Sequence, residues 1–264
     1  MENRQLFNYH THTYRCGHAA MDSDEEYVIA AIEAGFKQLG FSDHAPFREF
    51  SKKSDRMDYN EFDGYLKSIY SLKEKYKDII DIRVGSEFEY FDNHLDQIDE
   101  VLSKTEYMIL GQHYCYPDAG FDYGRGPCNK DTLLLYRDLV CKAMETGKFL
   151  YLAHPDYFCA GITNFDETCE IVAHDISECA VKTNTPLELN IKLRDRRLQH
   201  FEHGEFYMYP HRPFWEIVSQ YPVKCVYGFD AHDADQLKRM ENYTDCDEIL
   251  KGLNLEFIKE PLLK

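Results

Sequence analysis

No run of 18 or more apolar residues occurs in this 264-residue chain, so it carries no candidate membrane-crossing helix. Met1-Glu2-Asn3-Arg4-Gln5 leads straight into the apolar pair Leu6-Phe7, which leaves no room for a secretory leader, and a cytoplasmic protein is the expectation. Cys-x-x-Cys pairs are missing. The nine cysteines are odd in number and irregular in spacing, which argues against a disulfide framework; they read as small thiols of a reducing compartment. Cationic excess is missing too. Against 47 aspartates and glutamates stand 30 lysines and arginines, a net charge of −17, so nucleic acid is not the expected partner. Neither a linker nor a low-complexity tract interrupts the chain. What remains, 44% hydrophobic and 29% charged, is a globular composition, read as a single domain over residues 1–264.

The chain is organised around Asn8-Tyr9-His10-Thr11-His12-Thr13-Tyr14-Arg15-Cys16-Gly17-His18. A strand over 6–12 puts His10 and His12 on one face, because strand side chains alternate. Two imidazoles on one face can grip a metal ion, and His18 follows in the next loop. Strand, loop and helix then alternate. Ser23 and Glu26 form a capping box ahead of Tyr27, Ala30, Ala31 and Ala34 at helical spacing, with Gly35 as the stop. Phe62, Leu66, Ile69, Leu72 and Tyr76 mark an amphipathic helix, and others are expected near 95–102, 130–146, 166–183 and 214–221. Strands are expected at 6–12, 37–41, 82–89, 107–110, 149–153, 186–189 and 223–229. The polar stretch 45–59 is a candidate lid. Such alternation implies parallel strands with right-handed crossovers, closed into a barrel or a doubly wound sheet; one domain of this length fits the barrel better.

Each expected strand ends in a residue of ligand type: His12, His44, Glu87, His113, His154, Asn190 and Asp230, with His232 just after. Barrel enzymes build their sites at the C-terminal ends of strands. Imidazole and carboxylate together suit Zn, Mn or Fe rather than Ca. Closely spaced ions activate water and stabilise the oxygens of an in-line displacement, which is the logic of a phosphoester hydrolase with no serine or cysteine nucleophile.

The segments His10-Thr11-His12-Thr13, Ser42-Asp43-His44-Ala45-Pro46, Gly85-Ser86-Glu87, Gly111-Gln112-His113, His154-Pro155, Leu187-Glu188-Leu189-Asn190 and Asp230-Ala231-His232 resemble the polymerase and histidinol phosphatase (PHP) family, in its histidinol-phosphatase branch. The likeness runs from about residue 7 to 235. It implies a distorted (β/α)7 barrel, one PHP-type metallophosphoesterase domain and three divalent metal ions. In the family's pattern His10, His12, Glu87 and Asp230 surround one ion, Glu87 bridges to a second held by His113 and His154, and His18, His44 and His232 hold a third. Glu87, Asp230 and His232 are then the catalytic residues. The implied reaction is hydrolysis of the small phosphate ester L-histidinol phosphate to L-histidinol and phosphate, a step of histidine biosynthesis. The alternatives are another small phosphate ester or a phosphotyrosyl protein as substrate, or a non-catalytic metal-binding domain. Gly228-Phe229 stands where the family usually has Ser, and 191–197 replaces its usual small-residue turn.

Outside the ligand set, Arg194 and Arg197, with Asn190, are the expected substrate-binding residues, since guanidinium makes bidentate bonds to phosphate. Arg196, Arg125 and Lys130 are weaker versions of the same idea. Asp43 is expected to orient the ring of His44. Tyr207 and Tyr209 are candidates to line the pocket. Glu89 shares a strand face with Glu87 but matches no motif and is expected to matter less. His94, His174, His200, His203 and His211 read as surface or helix histidines.

Overall fold

The computed structural model describes residues 4–49, 51–52, 54–116, 120–193, 198–202 and 204–264. Four parallel strands lie side by side in chain order: β1 (Phe7–Asn8), β2 (Gln38–Phe41), β3 (Asp81–Phe88) and β4 (Tyr107–Leu110). After β5 (Leu187–Asn190) comes an antiparallel hairpin of β6 (Gln199–Phe201) and β7 (Gly204–Phe206), in a stretch for which the sequence predicts no strand. β5 pairs in parallel with β8 (Lys224–Gly228), and β8 with β9 (Glu256–Phe257).

Two short contacts connect these sheets. Leu152 makes parallel bridges to Leu110 on one side and Leu187 on the other. At the opposite edge Thr11 bridges Ala231, with the His12 amide donating to the Ala231 carbonyl at 2.9 Å. The expected strand at 149–153 is therefore an extended segment with one bridging residue per side rather than a ladder. The expected strand at 6–12 pairs as a ladder only at Phe7–Asn8. Curl explains both: where a sheet bends sharply, few residues stay in register with both neighbours. The result is one α/β fold with a curled parallel sheet.

Helices cover the outside: α1 (Asp24–Glu33), α2 (Phe62–Tyr76), α3 (Leu95–Lys104), α4 (Lys130–Glu145), α5 (Glu167–Thr183), α6 (Arg212–Val218) and α7 (Glu241–Ile249). The Ser23–Glu26 capping box forms as expected, and Asp166 caps α5 by accepting from the amides of Thr168 and Cys169. None of the described helices is long and apolar enough to cross a membrane.

Inside the curl lies a separate cluster of Phe7, Tyr9, Tyr107, Ile109, Tyr151, Ala153 and Val226. Glycine makes room for it. A Cβ at Gly85 would stand 2.4 Å from the Tyr107 ring, and one at Gly40 would stand 2.2 Å from its hydroxyl. That hydroxyl donates to the carbonyl of Tyr9 at 2.8 Å. Leu262 and Leu263 close the end where the strands begin: Gln38, the first residue of β2, donates to the Leu263 carbonyl, and the Leu263 amide donates to the Tyr9 hydroxyl. The other end carries the imidazoles.

Candidate metal centre

All nine residues expected as metal ligands converge at the C-terminal end of the sheet. His10 and His12 follow β1, His44 bridges to Glu87 beyond β2, and Glu87 sits near the end of β3. His113 follows β4, His154 follows the segment bridged through Leu152, and Asp230 and His232 follow β8. His18 comes from the loop after a short 3-10 turn at Tyr14–Cys16. Four compact groups result: His10, His12 and Asp230; His10, Glu87 and His154; His12, His44 and Glu87; His18, His44 and His232. Within each, the ligand atoms lie within 4.8 Å of one another. Glu87 belongs to two groups because its oxygens diverge. Oε1 is 3.0 Å from His154 Nε2 and Oε2 is 3.0 Å from His44 Nδ1. Gly111 leaves the space for it, since a Cβ there would stand 1.9 Å from Oε1. Two of these residues sit at left-handed backbone angles, His154 at φ 28° and Asp230 at φ 46°, strain of the kind that functional sites hold. A fifth group adds Cys16 to His12 and His232.

The surroundings of the rings show what the cluster is built to receive. His18 Nδ1 lies 3.1 Å from the Cys16 carbonyl, and His232 Nδ1 lies 2.9 Å from the Asp230 carbonyl. A carbonyl only accepts, so where Nδ1 donates to it Nε2 presents a lone pair. Those two Nε2 atoms face each other at 2.8 Å. Likewise His10 Nδ1 donates to Glu188 at 2.8 Å and His113 Nδ1 to Glu89 at 3.2 Å, which turns their Nε2 atoms inward. His10 Nε2 and His12 Nε2 are 3.1 Å apart. Ring nitrogens this close are reconciled by a shared proton or by a cation among them. Glu87 Oε2, His12 Nδ1 and His154 Nδ1 are buried without a hydrogen bond. The donor set therefore fits divalent metal ions.

Charge in the cluster is balanced by protons. Burial opposes protonation of His10, yet Glu188, Asp230 and Glu87 raise its pKa well above the ordinary value. Burial also opposes protonation of His113, but Glu87 and Glu89 lift it to about 9. Burial, with Lys192 and His12, lowers His232 to about 3, and burial, with His44 and His232, lowers His18 to about 4. Burial would raise both acids, but His44, His113 and His10 hold Glu87, and Lys192, His10 and His232 hold Asp230, well below the carboxylate range.

The outer groups include residues that the motif reading undervalued. Glu188 is fully buried and holds His10; its place beside Asn190 in an otherwise apolar strand was the available signal. Glu89 is not peripheral: it accepts from His113 and from the buried Arg56 at 2.9 Å. Asp43 receives the amide of His44 at 2.8 Å, but the ring nearest its carboxylate is that of His12, 3.6 Å away. His94 and His211 are buried rather than on the surface, and the His211 amide donates to Asp156.

A cavity of about 250 Å³ opens over the cluster, its walls including Asp55, Tyr114, Asp122, Tyr157, Lys192 and Tyr209. Arg125 reaches its mouth, paired with Asp122 at 3.1 Å. Tyr207 meets His211 through its carbonyl. Asn190 stands behind the cavity, buried, its amide donating to Glu188 and to Asp230 at 3.1 Å each, so it positions Asp230 rather than facing a ligand. Arg194, Arg196 and Arg197 lie outside the described residues.

A family model described as PHP domain matches residues 8–192. A Deinococcus radiodurans protein named "Probable histidinol-phosphatase" is 28% identical over 158 residues, 57% of this chain and 60% of that one. The Bacillus subtilis histidinol-phosphatase is 28% identical over 121 residues, 42% of this chain and 45% of its own length. The matched stretch thus spans about half the length of these curated relatives. The crystal structure of a Lactococcus lactis histidinol phosphate phosphatase, complexed with zinc, L-histidinol and phosphate, has a TM-score of 0.70 at 16% identity and covers 98% of this chain and 97% of that one. At that identity the likeness is one of fold.

Proposed function

The chain belongs to the PHP domain family, and from that premise we propose that its imidazole–carboxylate cluster is the centre of a metal-dependent phosphomonoesterase acting on L-histidinol phosphate. The observation that carries the reading is the inward convergence of ring nitrogens from His10, His12, His18 and His232 beside two ionised carboxylates. Three divalent ions, Zn, Mn or Fe, fit the donors: one among His10, His12, Glu87 and Asp230, one with Glu87, His113 and His154, one with His18, His44 and His232. When bound, such ions stabilise charge on a phosphoryl group and acidify water. The chain's own part is to hold the donors. Glu188 fixes His10, Glu89 fixes His113 and Asn190 fixes Asp230, each by a hydrogen bond that sets ring or carboxylate orientation.

The fold reading is a distorted (β/α)7 barrel forming one domain over residues 1–264. It is supported by the bridges through Leu152 and between Thr11 and Ala231. Arg194 and Arg197, which follow β5 in the sequence, are assigned to substrate. A cavity of about 250 Å³ suits a small ester better than a folded phosphoprotein. The relatives' names support the substrate, and with it a step of histidine biosynthesis.

A panel of phosphate esters assayed with Mn, Zn or Fe tests this. Histidinol phosphate is expected to give the highest kcat/KM. A sugar phosphate, nucleotide or phosphotyrosyl peptide turned over faster would replace the substrate. No turnover of any ester, with ions bound, would leave a binding domain.

A further inference from the structure

Lys192 is not of ligand type, yet it stands among the ligands. It follows β5 by two residues, and its amide donates to Asn190 Oδ1 at 3.0 Å, which ties its backbone to the strand end. Its Nζ is 2.8 Å from His232 Nδ1 and 3.4 Å from Asp230 Oδ1. It also lines the cavity.

An ammonium carries three donor protons. Among the described residues the contacts of this one are His232 Nδ1 and Asp230 Oδ1, which leaves a donor proton for the cavity that Lys192 lines.

We propose that Lys192 is a phosphoryl-binding cation of this site, its ammonium standing on the cavity wall beside the ligand cluster; the inference rests on the phosphomonoesterase reading above. The charge pattern asks for such a group. Asp55 and Asp122 line the walls, and Glu87 and Asp230 lie beneath. Of the described lysines and arginines that line the cavity, Arg125 has a side chain 78% exposed and turned to Asp122, which leaves Lys192 as the inward one. An ammonium is a compact charge with three rotatable donors, suited to a phosphoryl oxygen whose other oxygens face the ions.

The test is calorimetric titration of inorganic phosphate into the full-length protein, with ions and after chelation. In the ion-loaded protein Lys192→Met is expected to weaken phosphate by about ten- to hundredfold, the worth of a charge-assisted hydrogen bond. Lys192→Arg, which keeps the charge, should lose less. Ion content by elemental analysis should equal wild type in both variants, because no ligand is removed. After chelation Lys192→Met should change phosphate affinity little, since the ions that would hold the other phosphate oxygens are gone. Unchanged phosphate affinity in loaded Lys192→Met overturns the proposal. So does an equal loss in both variants, a fall in ion content, or an effect as large without ions as with them. A wild-type protein that binds phosphate through Lys192 yet hydrolyses no histidinol phosphate supports the lysine and removes only the substrate.

Discussion

Gly228 leaves the space that Glu188 fills: a Cβ on Gly228 would stand 2.2 Å from the Glu188 carboxyl carbon, and Glu188 in turn holds His10 Nδ1 at 2.8 Å. The two are diagonal neighbours across the β5–β8 ladder, where Gly228 pairs with Asn190, two residues beyond Glu188. Gly228→Ala is therefore expected to displace Glu188 and free the His10 ring. The cost should be about 1–3 kcal/mol of stability from overpacking and about ten- to hundredfold in ion affinity. Glu188→Gln should reproduce the loss of ion affinity with less loss of stability. Denaturant unfolding and metal titration of both variants separate the two effects. Normal ion affinity in Gly228→Ala would mean that His10 needs no carboxylate partner.

Protein purified without chelator should carry divalent ions, and chelation should abolish phosphatase activity, with recovery on adding Mn, Zn or Fe. Elemental analysis gives the stoichiometry. Less than one ion per folded chain would end the metal reading.

Glu87→Gln should lose most activity and at least one ion, because a neutral amide is a poor bridge between cations. Glu89→Gln tests a different point. Glu89 orients His113 and neutralises buried Arg56, so its amide should cost about ten- to hundredfold in activity as well as stability. Near-normal kcat and melting temperature in Glu89→Gln would show that His113 is held by its other contacts.

Arg194→Ala should lower kcat/KM by about ten- to hundredfold at constant ion content, and Arg194→Lys should recover part of it. If Arg197→Ala is impaired and Arg194→Ala is not, the roles within the cluster are exchanged.

Glu100 on α3 gathers the hydroxyl of Tyr59, the Arg48 guanidinium and the Lys104 ammonium, tying residues 48 and 59 to that helix. Tyr59 first, then Arg48 and Lys104, hold its carboxyl down to about 2. A depressed carboxyl stabilises above its unfolded pKa and loses that contribution as pH falls toward its folded value. Glu100→Gln should thus melt about 1–4 °C below wild type at pH 7, and the gap should close between pH 4.5 and 2. A gap that persists at pH 2.5 would assign the effect to packing.

The side chains that converge were legible because most of them end or adjoin a strand-like run, and strand ends are marked locally by the switch from apolar to polar residues. Helix starts were legible for the same reason, through Ser23 with Glu26 and through Asp166. What sequence hid was whatever depends on curl or on distant partners. The pattern at 149–153 is that of a strand, but only Leu152 bridges its neighbours. The 199–206 hairpin is short and polar, with no alternation to betray it. Glu188 reads as one acid among apolar residues until Gly228 and His10 are seen around it. Lys192 reads as loop charge until Asp230 and His232 arrive from forty residues away.

The contact between Thr11 and Ala231 also has a bearing on how the chain comes into being. Its partners are 220 positions apart in sequence, and the Tyr9–Leu263 bond spans 254. Contacts so distant form late and slow the folding that depends on them. On a ribosome, at about 5–20 residues per second, roughly 10–40 s separate the emergence of His18 from that of Asp230. Through that interval an ion meeting the nascent chain finds His10 and His12 without the acid they converge on. On the proposed metal reading, tight ion capture is then deferred to the finished molecule, and the free edge beyond Thr11 is the surface that a growing chain must keep from other partners.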